Sequence, residues 1–300
     1  MKSSTKKLLI WLAVAMVVSL GIAAIILVTT GNFVVATEEI NESKTFDLGE
    51  ISGIDVNLVS TDLNIIPTTK GEIIVHFYGE VSTTIKWDVP ELIAYKTGDR
   101  LYVETQRSKN IIVFGVNIER MTMDIYIPGT ILDELNINLI SGDVIVEGTN
   151  AAQLVLKTVS GDIKIQGLDA EKTRTSSTSG DISIRDYTGN MDAGTISGDI
   201  SMIGGKDNED IYASSVSGDI YIEQDKVSQM KIESTSGDVR VVLPEESTFY
   251  LDVNTISGDI KQDFPLKVIS SGRRELEGSV GDGSERIMIN TISGDVTIDH

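Results

Sequence analysis

Apolar and polar residues alternate in short runs along most of the chain, and the alternation is organised around one repeated tripeptide. Ser-Gly-Asp followed by Ile or Val occurs eight times between Ser141 and Val296. The copies recur about every 19 residues, except for a longer interval before the last one, and such a period is typical of repeat architectures. Every second residue on each side of the motif is apolar, which predicts two short β-strands per repeat, each with one buried face.

The phase of the alternation changes at the motif, which therefore marks a corner between the two strands. The apolar positions are the sixth and fourth residues before the serine and the third and fifth after it. The residue immediately before the serine is also apolar in most copies: Ile140, Val159, Ile196, Val216, Ile256 and Ile292. A single strand cannot keep one face buried across such a change of phase, so the chain must turn there.

The serine and glycine of each copy are predicted to form the structural turn at this corner. Glycine permits a backbone conformation or a close approach that a Cβ atom would hinder. These turn residues are Ser141, Gly142, Ser160, Gly161, Ser179, Gly180, Ser197, Gly198, Ser217, Gly218, Ser236, Gly237, Ser257, Gly258, Ser293 and Gly294.

One repeat cannot bury its apolar face alone, so stacking of repeats must supply the core. The sequence therefore predicts an all-β fold, a β-helix-like solenoid of about eight coils over residues 134–300. Residues 263–285 exceed the length of a repeat and predict a loop that leaves and rejoins the solenoid. Residues 45–133 alternate less regularly and predict an irregular β-domain that caps the first coil.

The N-terminal segment predicts a membrane anchor. Residues 8–28 contain no charged residue, and 21 residues at about 1.5 Å each span roughly the hydrocarbon core of a bilayer. Lysines in residues 1–7 precede this segment, which places the N-terminus in the cytoplasm and the body outside. Residues 29–44 are then a spacer. A secreted protein, produced by signal cleavage near Ala36, is the alternative.

Composition narrows the possible functions. The formal net charge is −20, and an acidic surface without a basic stripe excludes nucleic acid as a partner. The chain has no cysteine, which excludes thiol chemistry. It has only two histidines, which leaves almost no residues from which to build a histidine metal site or a serine triad.

The aspartates of the motif would lie in one column along the solenoid. They are Asp143, Asp162, Asp181, Asp199, Asp219, Asp238, Asp259 and Asp295. The first interpretation is that each carboxylate accepts hydrogen bonds at its own corner. The alternative is a ladder of Ca²⁺ sites, since Ca²⁺ prefers oxygen ligands, although it takes 6–8 of them and each corner offers one carboxylate. We therefore expect no cofactor, with calcium as the alternative.

Catalysis is not expected. Arg174, Arg185 and Arg240 could assist the cleavage of an acidic polysaccharide, but an active site is a local departure from a repeat, and the carboxylates follow the repeat. The outward residues of the second strand instead suggest a possible binding face that includes Tyr221 and Arg240.

The C-terminus predicts a further contact. The chain stops shortly after the last apolar position, Ile298, so the final coil would have an uncovered edge. Such an edge invites strand addition, either by a partner protein or by a second copy of the chain through the C-terminal end of the solenoid.

The sequence near the C-terminus, together with the repeated motif, resembles a known protein family. Gly278-Ser279-Val280-Gly281-Asp282-Gly283 precedes a last copy that reads Ile-Met-Ile-Asn-Thr-Ile-Ser-Gly-Asp-Val, and earlier copies read Thr-x-Ser-Gly-Asp-Ile. Together they resemble the adhesin-like envelope proteins of prokaryotes, also called the toastrack family, over roughly residues 45–300. The resemblance implies a β-solenoid, frequent membrane attachment, and in some members envelope-stress sensing. It implies no catalytic residues.

These observations lead to one functional expectation. The chain should be a single-pass membrane protein whose extracytoplasmic solenoid is a binding or scaffold module in the cell envelope, in contact with an envelope protein or a surface polymer. A surface adhesin that binds glycan and a polysaccharide-active enzyme are the alternatives.

Overall fold

The computed structural model describes residues 16–22, 36–83, 89–107, 118–129, 132–206 and 210–300. Residues 16–22 are helical and exposed. The remainder of the predicted transmembrane segment 8–28, and residues 29–35 of the predicted spacer, lie outside the described residues. No helix within the described ranges is long and apolar enough to cross a membrane.

Nearly all of the remaining described chain is β-strand, which confirms the all-β prediction. The strands before the first Ser-Gly-Asp copy are β1 (Ala36–Asp47), β2 (Gly53–Ser60), β3 (Asp62–Thr68), β4 (Glu72–Thr83), β5 (Pro90–Thr97), β6 (Arg100–Arg107), β7 (Ile118–Pro128) and β8 (Leu132–Ser141). A single 3-10 turn, Leu48–Glu50, links β1 to β2.

The strands of the repeat region follow in chain order. They are β9 (Val144–Glu147), β10 (Asn150–Ser160), β11 (Ile163–Ser179), β12 (Ile182–Ser197), β13 (Ile200–Gly205), β14 (Asp210–Ser217), β15 (Ile220–Gln224), β16 (Gln229–Ser236), β17 (Val239–Val242), β18 (Phe249–Ser257), β19 (Ile260–Gln262), β20 (Lys267–Ser271), β21 (Glu275–Val280), β22 (Glu285–Ser293) and β23 (Val296–Asp299).

The strands form two series that face each other. The first sheet runs β5-β6-β2-β8-β10-β11-β12-β14-β16-β22-β18-β21-β20, and it holds the strands that precede each motif. The second sheet runs β1-β4-β7-β3-β9-β11-β12-β13-β15-β17-β23-β19, and it holds the strands that follow each motif. β11 and β12 are long and belong to both sheets. Pairing is parallel throughout the repeats, as stacked coils require.

The core lies between the two sheets and consists of the columns that the alternation predicts. In the coil around Ser217, for example, Ile211 and Ala213 before the motif and Ile220 and Ile222 after it are at most 2% exposed. Each side chain packs on the equivalent one of the neighbouring coil, because the register pairs equivalent positions. Stacking therefore supplies the burial that one coil cannot provide.

The last coil in sequence is not the last coil in space. β22 lies between β16 and β18, and β23 lies between β17 and β19. The expectation that the C-terminal coil leaves an uncovered edge is therefore wrong. The chain reaches the end of the stack with β18 and β19 and then returns to insert its final strands.

The 36-residue interval before the last motif makes this return possible. Its residues, predicted to form a loop, contain the antiparallel strands β20 and β21. β21 pairs with β18 and extends the first sheet by two strands. The first sheet consequently ends in β20, and the second sheet ends in the three-residue strand β19.

The N-terminal part continues the same two sheets. Residues 36–44, predicted as spacer, belong to β1, which pairs with β4 along its whole length. β2 and β3 form a coil beneath the first repeat, since Ser60 pairs with Ser141 and Leu63 pairs with Val144. The irregular residues 45–133 thus begin the stack on which the repeats build.

Candidate binding surface

The glycine of each motif allows neighbouring coils to touch at the corner. Gly161 and Gly218 have φ angles of 139° and 145°, which L side chains rarely adopt. A Cβ atom on either residue would lie 2.0 Å from the carbonyl oxygen of the glycine one coil earlier. Any larger residue would therefore separate the coils at this corner.

In every motif with another coil stacked beyond it, the aspartate side chain forms a hydrogen bond to that next coil. Its Oδ1 accepts a hydrogen bond from the backbone N–H of the equivalent aspartate one coil further along the stack, at 2.7–3.0 Å. The line of carboxylates runs Asp62, Asp143, Asp162, Asp181, Asp199, Asp219, Asp238, Asp295 and Asp259. The hydrogen bond thus crosses between coils, whereas the sequence suggested a bond within one corner.

This arrangement gives the carboxylates a structural role. Each backbone N–H that donates a hydrogen bond to a carboxylate offsets part of the repulsion between neighbouring carboxylates. The described residues contain no group of three or more His, Asp or Glu side chains that could hold a metal ion. Because Ca²⁺ takes 6–8 oxygen ligands, a line with one carboxylate per coil does not form the cage that the calcium alternative needs.

Tyr221 and Arg240 lie side by side on adjacent strands of the second sheet. The hydroxyl of Tyr221 donates to Glu223 at 2.6 Å, and this hydrogen bond raises the pKa of the phenol. Arg240 forms an ion pair with Asp299 at 2.7 Å, which raises the pKa of the guanidinium. Both polar groups therefore already have partners within the protein.

A buried column of hydroxyl groups lines the corner from inside. Two residues before the serine stands a Thr or Ser in seven of the eight copies, Leu139 being the exception. Thr158, Ser177, Ser215, Thr255 and Thr291 have hydroxyls with no hydrogen-bond partner among the described residues. Thr195 and Ser234 each donate to a glycine carbonyl at 3.4 Å. The column is buried on the inner side of the corner, and five of its members also line the groove described below.

The most exposed feature of the corner is one that the sequence did not identify as a surface. The residues immediately before the serine point outward and form a file along the first sheet, which we call the aliphatic ridge. In stack order it contains Val59, Ile140, Val159, Thr178, Ile196, Val216, Thr235, Ile292 and Ile256. Its seven aliphatic side chains are 48–61% exposed.

The ridge is long, continuous and uncharged. Nine strands about 4.8 Å apart give it a length of roughly 40 Å. The aspartate line runs parallel to it, three residues further along the chain at each corner. The sequence signal was available: with the sixth and fourth residues before the serine facing inward, alternation places the residue immediately before the serine on the outward face.

A groove accompanies the ridge near the end of the stack. It is a cavity of about 760 Å³, and Val216, Ile256 and Ile292 of the ridge line one part of it. Asn254 and Asn290 contribute amides from the neighbouring outward positions. Arg274, in the turn between β20 and β21, also lines the groove. The combination provides apolar contact together with polar groups, as binding grooves commonly do.

Comparison with known proteins identifies a family with this fold. The family model of the Toastrack DUF4097 domain matches residues 51–299, which cover the whole stack apart from β1. No curated protein matches the chain.

One solved structure reaches a TM-score of 0.50 against this fold. A "putative adhesin" from Bacteroides fragilis is similar over 86% of this chain and 97% of its own, with 16% identity and a TM-score of 0.50. A second "putative adhesin", from Parabacteroides distasonis, is similar over 86% of this chain and 97% of its own, with 11% identity and a TM-score of 0.41. The family match covers most of the chain, and the chain therefore belongs to the Toastrack DUF4097 family.

Proposed function

We propose that this protein is a non-catalytic binding or scaffold module of the cell envelope, anchored in the membrane by residues 8–28 with its stacked sheets outside the cytoplasm. The aliphatic ridge carries the proposal. Monomeric proteins rarely expose seven aliphatic side chains in one file, interrupted only by Thr178 and Thr235, without a contact to make, and exposed apolar patches mark interaction sites.

A binding role explains the polar residues better than catalysis does. The carboxylates of the aspartate line accept hydrogen bonds from neighbouring coils. Arg174 and Arg240, which could assist a polysaccharide-cleaving site, form ion pairs with Asp192 and Asp299. These groups stabilise the stack, and a catalytic group would need to be free to act on substrate.

The chemistry of the corner indicates what kind of partner fits. A contact on the ridge also lies beside the line of aspartates, so an anionic wall polymer or acidic lipid headgroups would be repelled. We infer a protein partner that presents an apolar strip flanked by Lys or Arg side chains, since complementary charge favours encounter and fixes register. A membrane protein of an envelope-stress system would meet this description.

The N-terminal sequence supports the membrane anchoring in this proposal. Residues 8–28 are uncharged and long enough to span a bilayer, and Lys2, Lys6 and Lys7 precede them. An anchored module remains close to other envelope proteins, which raises its effective concentration at a membrane partner.

Co-purification from gently solubilised membranes tests the proposal. The tagged full-length chain is compared with the double variant Ile196→Thr, Val216→Thr, which makes the ridge polar. Threonine already occupies Thr178 and Thr235 of the ridge, so the substitutions keep the β-branch that the strand requires.

The control variant changes the same residue types at another exposed place. Val268 and Ile269 of β20 are 52% and 63% exposed, so Val268→Thr, Ile269→Thr removes equivalent apolar surface outside the ridge. We expect one discrete membrane protein to be lost with the ridge variant and retained with the control. Equal recovery with both variants, or capture of surface glycan alone, would contradict the proposal.

A further inference from the structure

A cavity far from the Ser-Gly-Asp corner has the composition of a ligand site. It lies on the outward side of the second sheet, where β1, β4, β7 and β3 are neighbours, and its volume is about 410 Å³. Its lining consists of Ser43, Thr68, Lys70, Ile74, His76 and Tyr126. None of these residues belongs to the repeat, so the cavity is a local departure from the regular stack.

The lining is rich in hydrogen-bond donors and contains no carboxylate, although acids outnumber bases by 45 to 25 in the chain. The ammonium group of Lys70 has no hydrogen bond or ion pair with another described residue. The hydroxyl of Thr68 accepts from the backbone N–H of Lys70 at 3.2 Å, which leaves its own proton available to a ligand. Ser43 on β1, which pairs with His76 of β4, adds a second hydroxyl to the lining.

The imidazole of His76, opposite Ser43 in the register of β1 and β4, is held in place. Its Nε2 lies 3.0 Å from Oδ1 of Asn41, and its ring stacks on Tyr78 with centroids 4.6 Å apart. Such contacts fix a side chain before a ligand arrives, which reduces the entropy lost on binding.

The carboxylate of Asp124, next to the cavity, accepts hydrogen bonds from three side chains of the protein. Asp124 is only 7% exposed although it lies on the outward side of the sheet. Its Oδ1 accepts from the amide of Asn64 at 2.7 Å, and its Oδ2 accepts from the hydroxyls of Tyr78 and Tyr126 at 3.3 and 3.5 Å. Proximity to this carboxylate raises the pKa of both phenols after the larger effect of desolvation. The three donors stabilise the carboxylate of Asp124 by hydrogen bonds, and Tyr126 with Ile74 adds ring and aliphatic surface to the cavity.

We propose that this cavity binds the anionic oxygen group, a carboxylate, sulfate or phosphate, of a small polar molecule. Lys70 supplies the charge and the hydroxyl of Thr68 supplies a hydrogen bond to its oxygens. Ser43 and His76, on strands farther across the sheet, contact the rest of the molecule. The volume exceeds that of the anionic group alone and lies in the usual range of roughly 300–1,000 Å³ for ligand sites, so it accommodates a sugar-sized molecule as well. The site is independent of the ridge, and either can fail without the other.

The two histidines of the chain allow ligand binding in the cavity to be measured directly by NMR. His76 lines the cavity, whereas His300 packs against Phe264 with ring centroids 5.5 Å apart. Imidazole NMR signals of the full chain in micelles, assigned with the variant His300→Gln, report on each ring separately. The probes are galacturonate against galactose and glucose 6-phosphate against glucose, so that each acidic sugar is compared with its neutral counterpart.

We expect at least one acidic sugar to shift the His76 signals in a saturable way while those of His300 stay unchanged. Its neutral counterpart should bind at least about tenfold more weakly, since a hydrogen bond to a charged group is worth more than this factor. Lys70→Gln should weaken binding by a similar factor, and Lys157→Gln, which removes one exposed charge from the other sheet, should not. Absence of a saturable shift with both acidic sugars, equal binding of acidic and neutral sugars, or an unchanged affinity in Lys70→Gln would overturn the proposal.

Discussion

Replacing a single corner glycine by alanine should destabilise the protein strongly. In Gly218→Ala the new Cβ would lie 2.0 Å from the carbonyl oxygen of Gly198 and 2.6 Å from its carbon, so the two coils must separate. The φ angle of 145° adds strain of about 1–3 kcal/mol for any residue with a side chain. Overpacking against an unyielding backbone costs about another 1–3 kcal/mol. The reduced freedom of the unfolded chain returns less than 1 kcal/mol.

The net loss is therefore about 3 kcal/mol, which corresponds to a fall of roughly 6 °C in the melting temperature. Thermal and urea unfolding, followed by far-ultraviolet circular dichroism of the full chain, measure it. The matched control is Gly272→Ala, because no heavy atom lies within 4 Å of a Cβ placed there and the φ angle is ordinary. The control should change stability by less than about 0.5 kcal/mol. Equal melting temperatures for the two variants would refute the proposed close contact between coils.

Three further predictions concern polar contacts. Asp199→Ala removes the acceptor for the N–H of Asp219 and should cost about 1 kcal/mol in urea unfolding, whereas Asp199→Asn keeps an acceptor oxygen and should cost less; equal effects would contradict the hydrogen bond between coils. Burial raises the pKa of Tyr187, so only the unfolded chain ionises this phenol readily. The free energy of unfolding should therefore fall as pH rises above about 10. The fall should be smaller in Tyr187→Phe, which has no phenol to ionise. Arg100 hydrogen-bonds to Glu134 and lowers the pKa of that carboxyl below its ordinary value of 4.5, so the stabilisation is present above this pH and lost as pH falls through the lowered pKa. Arg100→Gln should cost about 1 kcal/mol at pH 7 and show a weaker loss of stability in acid, and an identical acid-unfolding curve would count against the ion pair.

The strands and core of the repeats follow from the sequence because each coil repeats the same constraint. A column such as Ile163, Ile182, Ile200 and Ile220 is apolar in every copy, and all four residues are buried. The change of phase at Ser-Gly-Asp also required a corner there. Short-range alternation decides these features, so one sequence is sufficient to predict them.

The order of the coils could not be predicted in the same way. Equivalent columns fit one another in any order, so periodicity does not tell that β22 and β23 insert before β18 and β19. Only the longer interval before the last motif indicates that the chain makes a detour. The position of the final coil depends on how residues 263–285 pair, which is a long-range property of the fold.

The surfaces were the hardest part to predict. Ile196 and Val216 have the residue types of a core, but they project outward at the corner and are about half exposed. The cavity at Lys70 collects residues from β1, the end of β3 and the turn that follows it, β4 and β7, which the antiparallel pairing of β1, β4 and β7 and the parallel pairing of β7 with β3 bring together. A pattern along the chain does not contain this pairing.

Photo-crosslinking in intact cells tests the central claim, that the aliphatic ridge is the contact surface, most directly. A photoreactive residue is placed at Val216 on the ridge, at Arg240 on the outward side of the second sheet, and at Val268 on β20. The account predicts that Val216 alone yields one discrete protein product, and that Ile196→Thr in the same chain reduces its yield. The same products from all three positions, or a product from Arg240 and none from Val216, would contradict it.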